Sequence, residues 1–404
     1  MIKNKILLHK PTFIGNELKY LKECIKTEWV ASSGGFIEKF EKKIKKFTGS
    51  KYAVSCASGT SALHIALKVN GIEKNDEVII PSLTFIAPVN SIIYNFANPI
   101  FFDSNNFFTI NTEDVINFLK NNTKTIYKKN KIKMKKTKVC INKKTGKIIK
   151  AILVVHVFGN AVFLDEIKKI CKLKNIKIIE DAAESLGTFY KQGQFKGKHT
   201  GTVGDAGCLS FNGNKIVTSG GGGMILTNNK KIYKSAKYYI NQAKDNNVRY
   251  IHNNVGYNYR LTNLQAALGL AQIENIKKFI KAKKFVHRQY IKLFSSINGL
   301  EIVKTPLFSN NNIWLNILRI NKKIFKIHIY ELILYLEKFG IQTRPIWHLN
   351  HLQKPFIKYE NFNIKNDQKL LFSCICLPSS PDITKNEINF IYNSVIKALK
   401  YRGL

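Results

Sequence analysis

The chain alternates short, wholly apolar runs with segments in which apolar residues recur every three or four positions. Residues 52–56, 77–80, 99–102, 151–155 and 176–179 are runs of the first kind, and each reads as a strand. Between them, 60–68 places Leu63, Ala66 and Leu67 on one helix face, and 164–173 has the same period. Strands apolar on both faces and alternating with helices predict a parallel sheet covered by helices on both sides. Four glycines at 220–223 lead into a further strand at 224–227. From about residue 261 the pattern changes to a long helix at 264–285, a strand at 314–320, a helix at 327–339 and an amphipathic helix at 385–399. The expected architecture is α/β, with a large domain over 1–260 and a smaller α+β domain over 261–404.

Composition narrows this picture only slightly. A length of 404 residues suits two or three domains at ~150 residues each. No apolar run approaches the ~18 residues of a membrane span, and MIKNKILLHK lacks the apolar stretch of a secretory leader. Seven cysteines with no CxxC pair argue against a disulfide scaffold and a zinc site, so a reducing cytoplasm and no metal are expected. The net charge of +39 suggests a binder of nucleic acid or anionic surfaces, whose binding would fall steeply with salt. Only six of the 65 basic residues are Arg, however, and a nucleic-acid reader favours the Arg fork. Lysine is spread along the whole chain, so no specific nucleic-acid partner is expected. Its densest stretch, 13 lysines in residues 120–150, reads as a solvated insertion loop between two sheet strands.

In an open parallel sheet, ligands bind beyond the carboxyl ends of the strands. The residues that follow the strands therefore carry the functional reading. Ser58, Gly59, Thr60 and Ser61 open a helix, where a glycine and free N–H groups suit a phosphate or simply cap the helix. Asp181, Ala183 and Glu184 follow the strand at 176–179. A carboxylate at that depth needs a positive partner, which a protonated ring nitrogen or a lysine would supply. Lys215 follows Ser210 in a loop of small residues, with no other lysine between Lys198 and Lys230. A desolvated lysine has a lowered pKa and can form a Schiff base, whereas a loop lysine on the surface does neither. Thr84 and Phe85 follow Pro81, where an aromatic can stack on a planar ligand or join the core. Asn258 and Arg260 precede the helix starting near 261, and Arg260 can hold an anion or a neighbouring carboxylate.

The order of these features resembles the pyridoxal-phosphate enzymes of the aspartate-aminotransferase fold, fold type I. More narrowly, SGTSALHIAL, EVIIPSLTFIAPVNSI, EDAAESLG, SFNGNKIVTSGGGGMI and GYNYRLTNLQAALGLAQIE resemble the DegT/DnrJ/EryC1/StrS sugar aminotransferases, over about 13–396. The stretch 142–160 and the opening LLHKPTFIGNELKYLKECIKTEWVASSGG look like the subgroup of legionaminic-acid and bacillosamine-type pathways.

The resemblance implies pyridoxal 5'-phosphate as cofactor, carried by Lys215, with Asp181 on its ring nitrogen. Phe85 would stack on one ring face, Ala183 would pack beneath, and Glu184 would lie near the ring hydroxyl. Gly59, the N–H groups of Thr60 and Ser61, and the Ser210 hydroxyl would surround the phosphate. Asn258 and Arg260 would come from the other subunit of a homodimer whose site lies at the interface. L-Glutamate would be the amino donor and a nucleotide-linked keto-sugar the acceptor. Trp347 and His351 in RPIWHLNHLQKP, together with His156, are candidate substrate contacts; for either histidine a structural role is the alternative. A sugar dehydratase of the same fold is the nearest rival, but those enzymes carry histidine where this chain has Lys215.

Overall fold

The computed structural model describes residues 5–129, 136–246 and 248–402. Five strands run parallel through the centre of the main sheet, in the spatial order β3 (Asn98–Phe102), β2 (Glu77–Pro81), β6 (Ile148–Val155), β7 (Lys177–Asp181) and β9 (Ala206–Ser210). β10 (Gly223–Thr227) returns antiparallel between β9 and β1 (Tyr52–Cys56).

Side chains alternate across this sheet, and the two faces meet different helices. Val78 and Ile80 pack with α3 (Gly59–Val69), α4 (Ile86–Tyr94) and α7 (Lys230–Ile240). Ile79 points the other way, into a layer with α5 (Thr112–Asn121) and α6 (Asp165–Lys174). Both faces are covered, so β2 and β10 are buried throughout. This is why they read as continuous apolar runs.

A second sheet is antiparallel, in the order β11 (Leu300–Ile302), β13 (Asn316–Ile320), β16 (Cys374–Leu377) and β14 (Arg344–Pro345). Its core comes from α9 (Ile276–Phe294), α10 (Ile329–Lys338) and α12 (Lys385–Arg402). The two-residue strands β8 (Phe189–Tyr190) and β12 (Ser309–Asn310) pair across the two units.

The division expected at residue 260 is crossed in three further places. α8 (Asn263–Glu274) packs on α1 (Glu17–Lys26) and α2 (Gly35–Thr48), within the layer that covers β1, β9 and β10. β15 (Asn361–Phe362), just before α11 (Asn366–Leu371), adds a parallel edge to β3. At the other end of the chain, Ile6 bridges to Ile341 of the smaller unit. Apolar patterning marks where elements lie, but not which layer each one joins.

Two expected elements differ. The helix read over 264–285 is two helices, because the Asn275 side chain bonds the Ala271 carbonyl at 3.2 Å and α9 starts afresh from that residue. The lysine-rich stretch expected as a loop contains a β-hairpin instead. Its strands β4 (Thr123–Lys129) and β5 (Lys136–Asn142) pair in register from Thr123 opposite Asn142 to Lys129 opposite Lys136. Cys140 and Ile141 are buried where β5 joins β6, while Lys124, Lys128, Lys143 and Lys144 are exposed. Residues 130–135 of that stretch lie outside the described residues. All seven cysteines are buried and unpaired. Among the described residues no helix is long and apolar enough to cross a membrane, and no group of three or more His, Cys, Asp or Glu could hold a metal ion.

Candidate active site

A cavity of about 320 Å³ opens where β1, β7 and β9 end. At one end α3 begins. Ser58 caps it, accepting the Ser61 N–H at 3.0 Å, while Ser61 Oγ accepts the Ser58 N–H at 2.9 Å. Thr60, which lines the cavity, is a first-turn residue whose N–H has no acceptor within the helix. Gly59 faces Ser210 so closely that a Cβ there would lie 2.8 Å from the Ser210 Cβ. The result is a narrow cradle with a helix start on one side and a hydroxyl on the other.

Asp181 ends β7 at the opposite side of the cavity and is 5% exposed. Burial raises its carboxyl above the ordinary carboxylate range, and the Ala183 N–H and the Lys215 charge draw it part of the way back. Oδ1 accepts the Ala183 N–H at 2.9 Å, which leaves Oδ2 to seek a donor. Thr84 is 1% exposed, lines the same cavity, and its hydroxyl has no hydrogen-bond partner.

Lys215 enters from the loop after β9, with its N–H on the Asn212 carbonyl at 3.0 Å. Its Nζ lies 3.4 Å from Glu184 Oε1 and 4.2 Å from the centroid of the Trp314 ring. Glu184 is itself buried, and its Oε2 accepts the Phe158 N–H at 2.8 Å. Burial lifts the Glu184 carboxyl to about 7, against the pull of Lys215 and the Phe158 N–H.

Phe158 belongs to an aromatic wall. It stacks on Trp347 with centroids 4.8 Å apart at 25°, and on Trp314 at 6.2 Å and 22°. Phe158 and Ile313 hold φ of 56° and 54°, a region costly for bulky and β-branched residues. The surroundings fix both: Glu184 holds the Phe158 N–H, and the Asn311 side chain accepts from Ile313 N at 2.5 Å. The fully buried Asn312 accepts the Trp314 N–H at 3.1 Å and donates to the Glu184 carbonyl at 2.8 Å.

Gly59, Thr60, Phe85, Asp181, Ala183, Glu184, Ser210, Lys215 and Trp347 thus meet around one cavity. Phe85 stands at its mouth, 53% exposed and 6.1 Å from Trp347. Ser61 is not among the lining residues, because its N–H and hydroxyl are spent on the helix cap. His156 does not line it either. That ring is wholly buried, with Nε2 3.0 Å from Glu180 Oε2 and Nδ1 accepting the Val162 N–H at 3.1 Å. Burial alone would raise the Glu180 carboxyl, but His156 and the Gly201 and Gly204 N–H groups more than offset it and hold it below the usual range. His351 is bound to the Ser82 hydroxyl at 2.7 Å and, beside Asn350, clamps the smaller unit onto the turn before Phe85. Both histidines are held by hydrogen bonds within the fold, and neither lines the cavity.

Asn258 and Arg260 do not line this chain's own cavity; Asn258 bridges to Asn241, and the Arg260 Nε is buried without a partner. Sequence reasoning missed Trp314 and Asn312. The signal was a rare Trp, one of three, two residues after a run of asparagines at 310–312.

These residues fit pyridoxal phosphate. A cradle built of a helix start, a close glycine and Ser210 suits its phosphate, Asp181 Oδ2 suits its ring nitrogen, and the orphaned Thr84 hydroxyl marks polar space between.

The model of the DegT/DnrJ/EryC1/StrS aminotransferase family matches residues 11–396. The chain is 34% identical over 393 residues to GDP-perosamine synthase of Escherichia coli O157:H7, covering 96% of this chain and 97% of that one. It is 32% identical over 387 residues to the putative pyridoxal phosphate-dependent aminotransferase EpsN of Bacillus subtilis (strain 168), covering 95% and 93%. Among solved structures, Helicobacter pylori PseC, an aminotransferase involved in the biosynthesis of pseudoaminic acid, superposes with a TM-score of 0.84 at 21% identity, covering 98% and 100%. The chain belongs to the DegT/DnrJ/EryC1/StrS aminotransferase family, whose members are pyridoxal-phosphate-dependent transaminases.

Proposed function

We propose that this family member moves the amino group of L-glutamate to C4 of a nucleotide-linked 4-keto-6-deoxy sugar, releasing 2-oxoglutarate and a 4-amino sugar for a surface glycan. The acceptor we favour is a UDP-linked 2-acetamido-4-keto-2,6-dideoxyhexose, as in the legionaminic-acid and bacillosamine-type pathways. The observation that carries the reading is the convergence of Lys215, Glu184 and Asp181 on one cavity at the carboxyl edge of the sheet.

Pyridoxal phosphate, when bound, supplies the electron sink that lets an amino group leave one carbon and join another. The chain supplies the rest. Lys215 Nζ takes and returns the proton at the reacting carbon, and Glu184, 3.4 Å away, holds Nζ in place and buffers its charge. Asp181 keeps a positive ring nitrogen paired at depth. The Thr60 N–H and the Ser210 hydroxyl bind the phosphate, and a helix start alone, at ~0.3–1 kcal/mol, would not retain it. Phe85, Trp314 and Trp347 exclude water around Nζ.

In this reading two copies of the chain form a homodimer, and Asn258 and Arg260 of one protomer complete the cavity of the other. The reaction takes place in the cytoplasm, in keeping with seven unpaired cysteines. The relatives named GDP-perosamine synthase favour a second reading, in which the acceptor carries GDP instead of UDP.

The test is to incubate the holoprotein and L-glutamate with UDP- and GDP-linked 4-keto-6-deoxy sugars and to follow the amino-sugar product by mass spectrometry. A mass change of amine for ketone with the UDP-linked sugar supports the first reading, and one confined to the GDP-linked sugar moves the assignment to the second. Amination of neither sugar overturns both.

A further inference from the structure

Lys215 Nζ is met by side chains from both units. Glu184, in the larger unit, lies 3.4 Å from it, and the ring of Trp314, just before β13 in the smaller unit, is centred 4.2 Å away. The same indole donates its N–H to the Asn214 carbonyl at 2.8 Å. One side chain thus touches the reactive amine and also the peptide carbonyl immediately before its residue.

The two ends of this contact are not equally well secured. Trp314 is 3% exposed, and the turn that carries it is tied to the larger unit at several points. The Asn312 N–H donates to Thr188 Oγ1 at 3.1 Å, and its side-chain amide donates to the Glu184 and Leu186 carbonyls at 2.8 and 3.0 Å. The neighbouring Asn311 amide donates to Asn160 Oδ1 at 2.6 Å. The Lys215 loop, by contrast, is built of small and polar residues, and Asn212 and Asn214 are exposed. The Lys215 N–H bonds the Asn212 carbonyl three residues back, a local turn that does not fasten the loop to the rest of the fold.

A lysine amine sits on a flexible four-carbon stem. Misplacing a reacting group by about 1 Å can cost on the order of 100-fold in rate. An ammonium over an aromatic face is attracted by it, and a buried indole N–H requires an acceptor. Trp314 satisfies both conditions at once, and it does so from a fixed position.

We propose that Trp314 is a positioning residue for the transamination: its ring face keeps Nζ beside Glu184, and its N–H fixes the loop from which Lys215 projects. The inference rests on Lys215 as the lysine that carries the cofactor. It makes the smaller unit the element that sets the reach of an amine held on the larger one.

The experiment compares wild type with Trp314→Phe, which keeps an aromatic face but has no N–H, and with Trp314→Leu, which has neither. Each cofactor-free protein is mixed with pyridoxal phosphate, and the rate constant for the visible band is measured. Borohydride reduction and peptide mass spectrometry then identify the labelled lysine. The holoproteins are also mixed rapidly with a series of L-glutamate concentrations, which separates the saturated rate constant from the half-saturating concentration. Rate constants do not depend on how much of the protein is folded, so lost stability alone moves neither. Both rate constants should fall about three- to tenfold in Trp314→Phe and about 10- to 100-fold in Trp314→Leu, with half-saturation within about twofold of wild type. Trp314→Phe decides the matter alone if Trp314→Leu does not fold. A visible band that forms in Trp314→Phe within about twofold of the wild-type rate overturns the proposal. A glutamate effect confined to the half-saturating concentration also overturns it, and makes the ring a wall for the substrate. A wild-type label on a lysine other than Lys215 overturns the underlying assignment, and the proposal with it.

Discussion

Lys215 Nζ lies 3.4 Å from Glu184 Oε1, and the other oxygen of the same carboxylate accepts the Phe158 N–H at 2.8 Å. One side chain therefore holds the reactive amine and also fixes the strained residue on which Trp347 and Trp314 stack. Proton handling and the shape of the aromatic wall share a single anchor.

The first prediction concerns that anchor. Burial places the Glu184 carboxyl near 7, so it is an acid below that pH and a carboxylate partner of Lys215 above it. The rate of the glutamate half-reaction should show a step near pH 7 in the wild type. Glu184→Gln should remove that step and slow the half-reaction by roughly 10- to 100-fold. A pH profile of cofactor bleaching after rapid mixing measures both, and an unaltered step in the variant would remove Glu184 from the proton path.

Gly59→Ala should weaken cofactor binding by about tenfold or more while leaving the fold intact. The added Cβ would meet the Ser210 Cβ at 2.8 Å, inside the cradle for the phosphate. Dialysis against buffer, followed by cofactor absorbance, measures the retention.

His156→Ala should destabilise the protein by about 2–4 kcal/mol, because the fully buried Glu180 carboxylate loses its side-chain donor, keeping only backbone N–H groups, and a cavity is left. Denaturant unfolding reads the loss. His156→Ala protein that folds should keep its KM for the sugar, since the ring does not line the cavity.

Much of the fold was legible because buried parallel strands leave continuous apolar runs, and β2, β6 and β7 need nothing else. Asp181 was legible for a related reason, since it closes the apolar run at 176–179, whereas Ser210 and Lys215 were marked by the loop of small residues around them. What stayed hidden was long-range. The helix break at Asn275 depends on one side chain competing for a carbonyl, and apolar periodicity runs through it unbroken. The paired strands at 123–129 and 136–142 were masked by their lysines, and in β5 only Cys140, Ile141 and Asn142, at its end, are buried. Trp314 reaches Lys215 because Asn312, buried at a turn in the other unit, ties that turn to the Glu184 and Leu186 carbonyls, and because the indole N–H donates to the Asn214 carbonyl. His156 sat at the ligand edge by strand order alone, and its partner Glu180 turns it away from the cavity.

Asp367 carries a prediction about stability. It is fully buried, with one carboxylate oxygen unpartnered, next to Asp103. Burial and then the Asp103 charge push its carboxyl up to about 8 from an ordinary 3.8. A pKa raised in the folded state means that the folded chain binds the extra proton between those values. Stability therefore falls as pH rises from about 4 to about 8, and is level above that. Asp367→Asn should flatten this slope and stabilise the protein by ~1–3 kcal/mol at pH 8, with little effect at pH 4. Thermal unfolding across that range measures the difference.

The central claim is that Lys215 makes this cavity a transaminase site. It is tested most directly by the visible absorbance of the protein with pyridoxal phosphate, before and after L-glutamate, beside Lys215→Ala. The account predicts a visible band from the lysine-held cofactor that glutamate bleaches in the wild type, and a variant that forms no such band. A band indifferent to glutamate, or one that survives in Lys215→Ala, would contradict it.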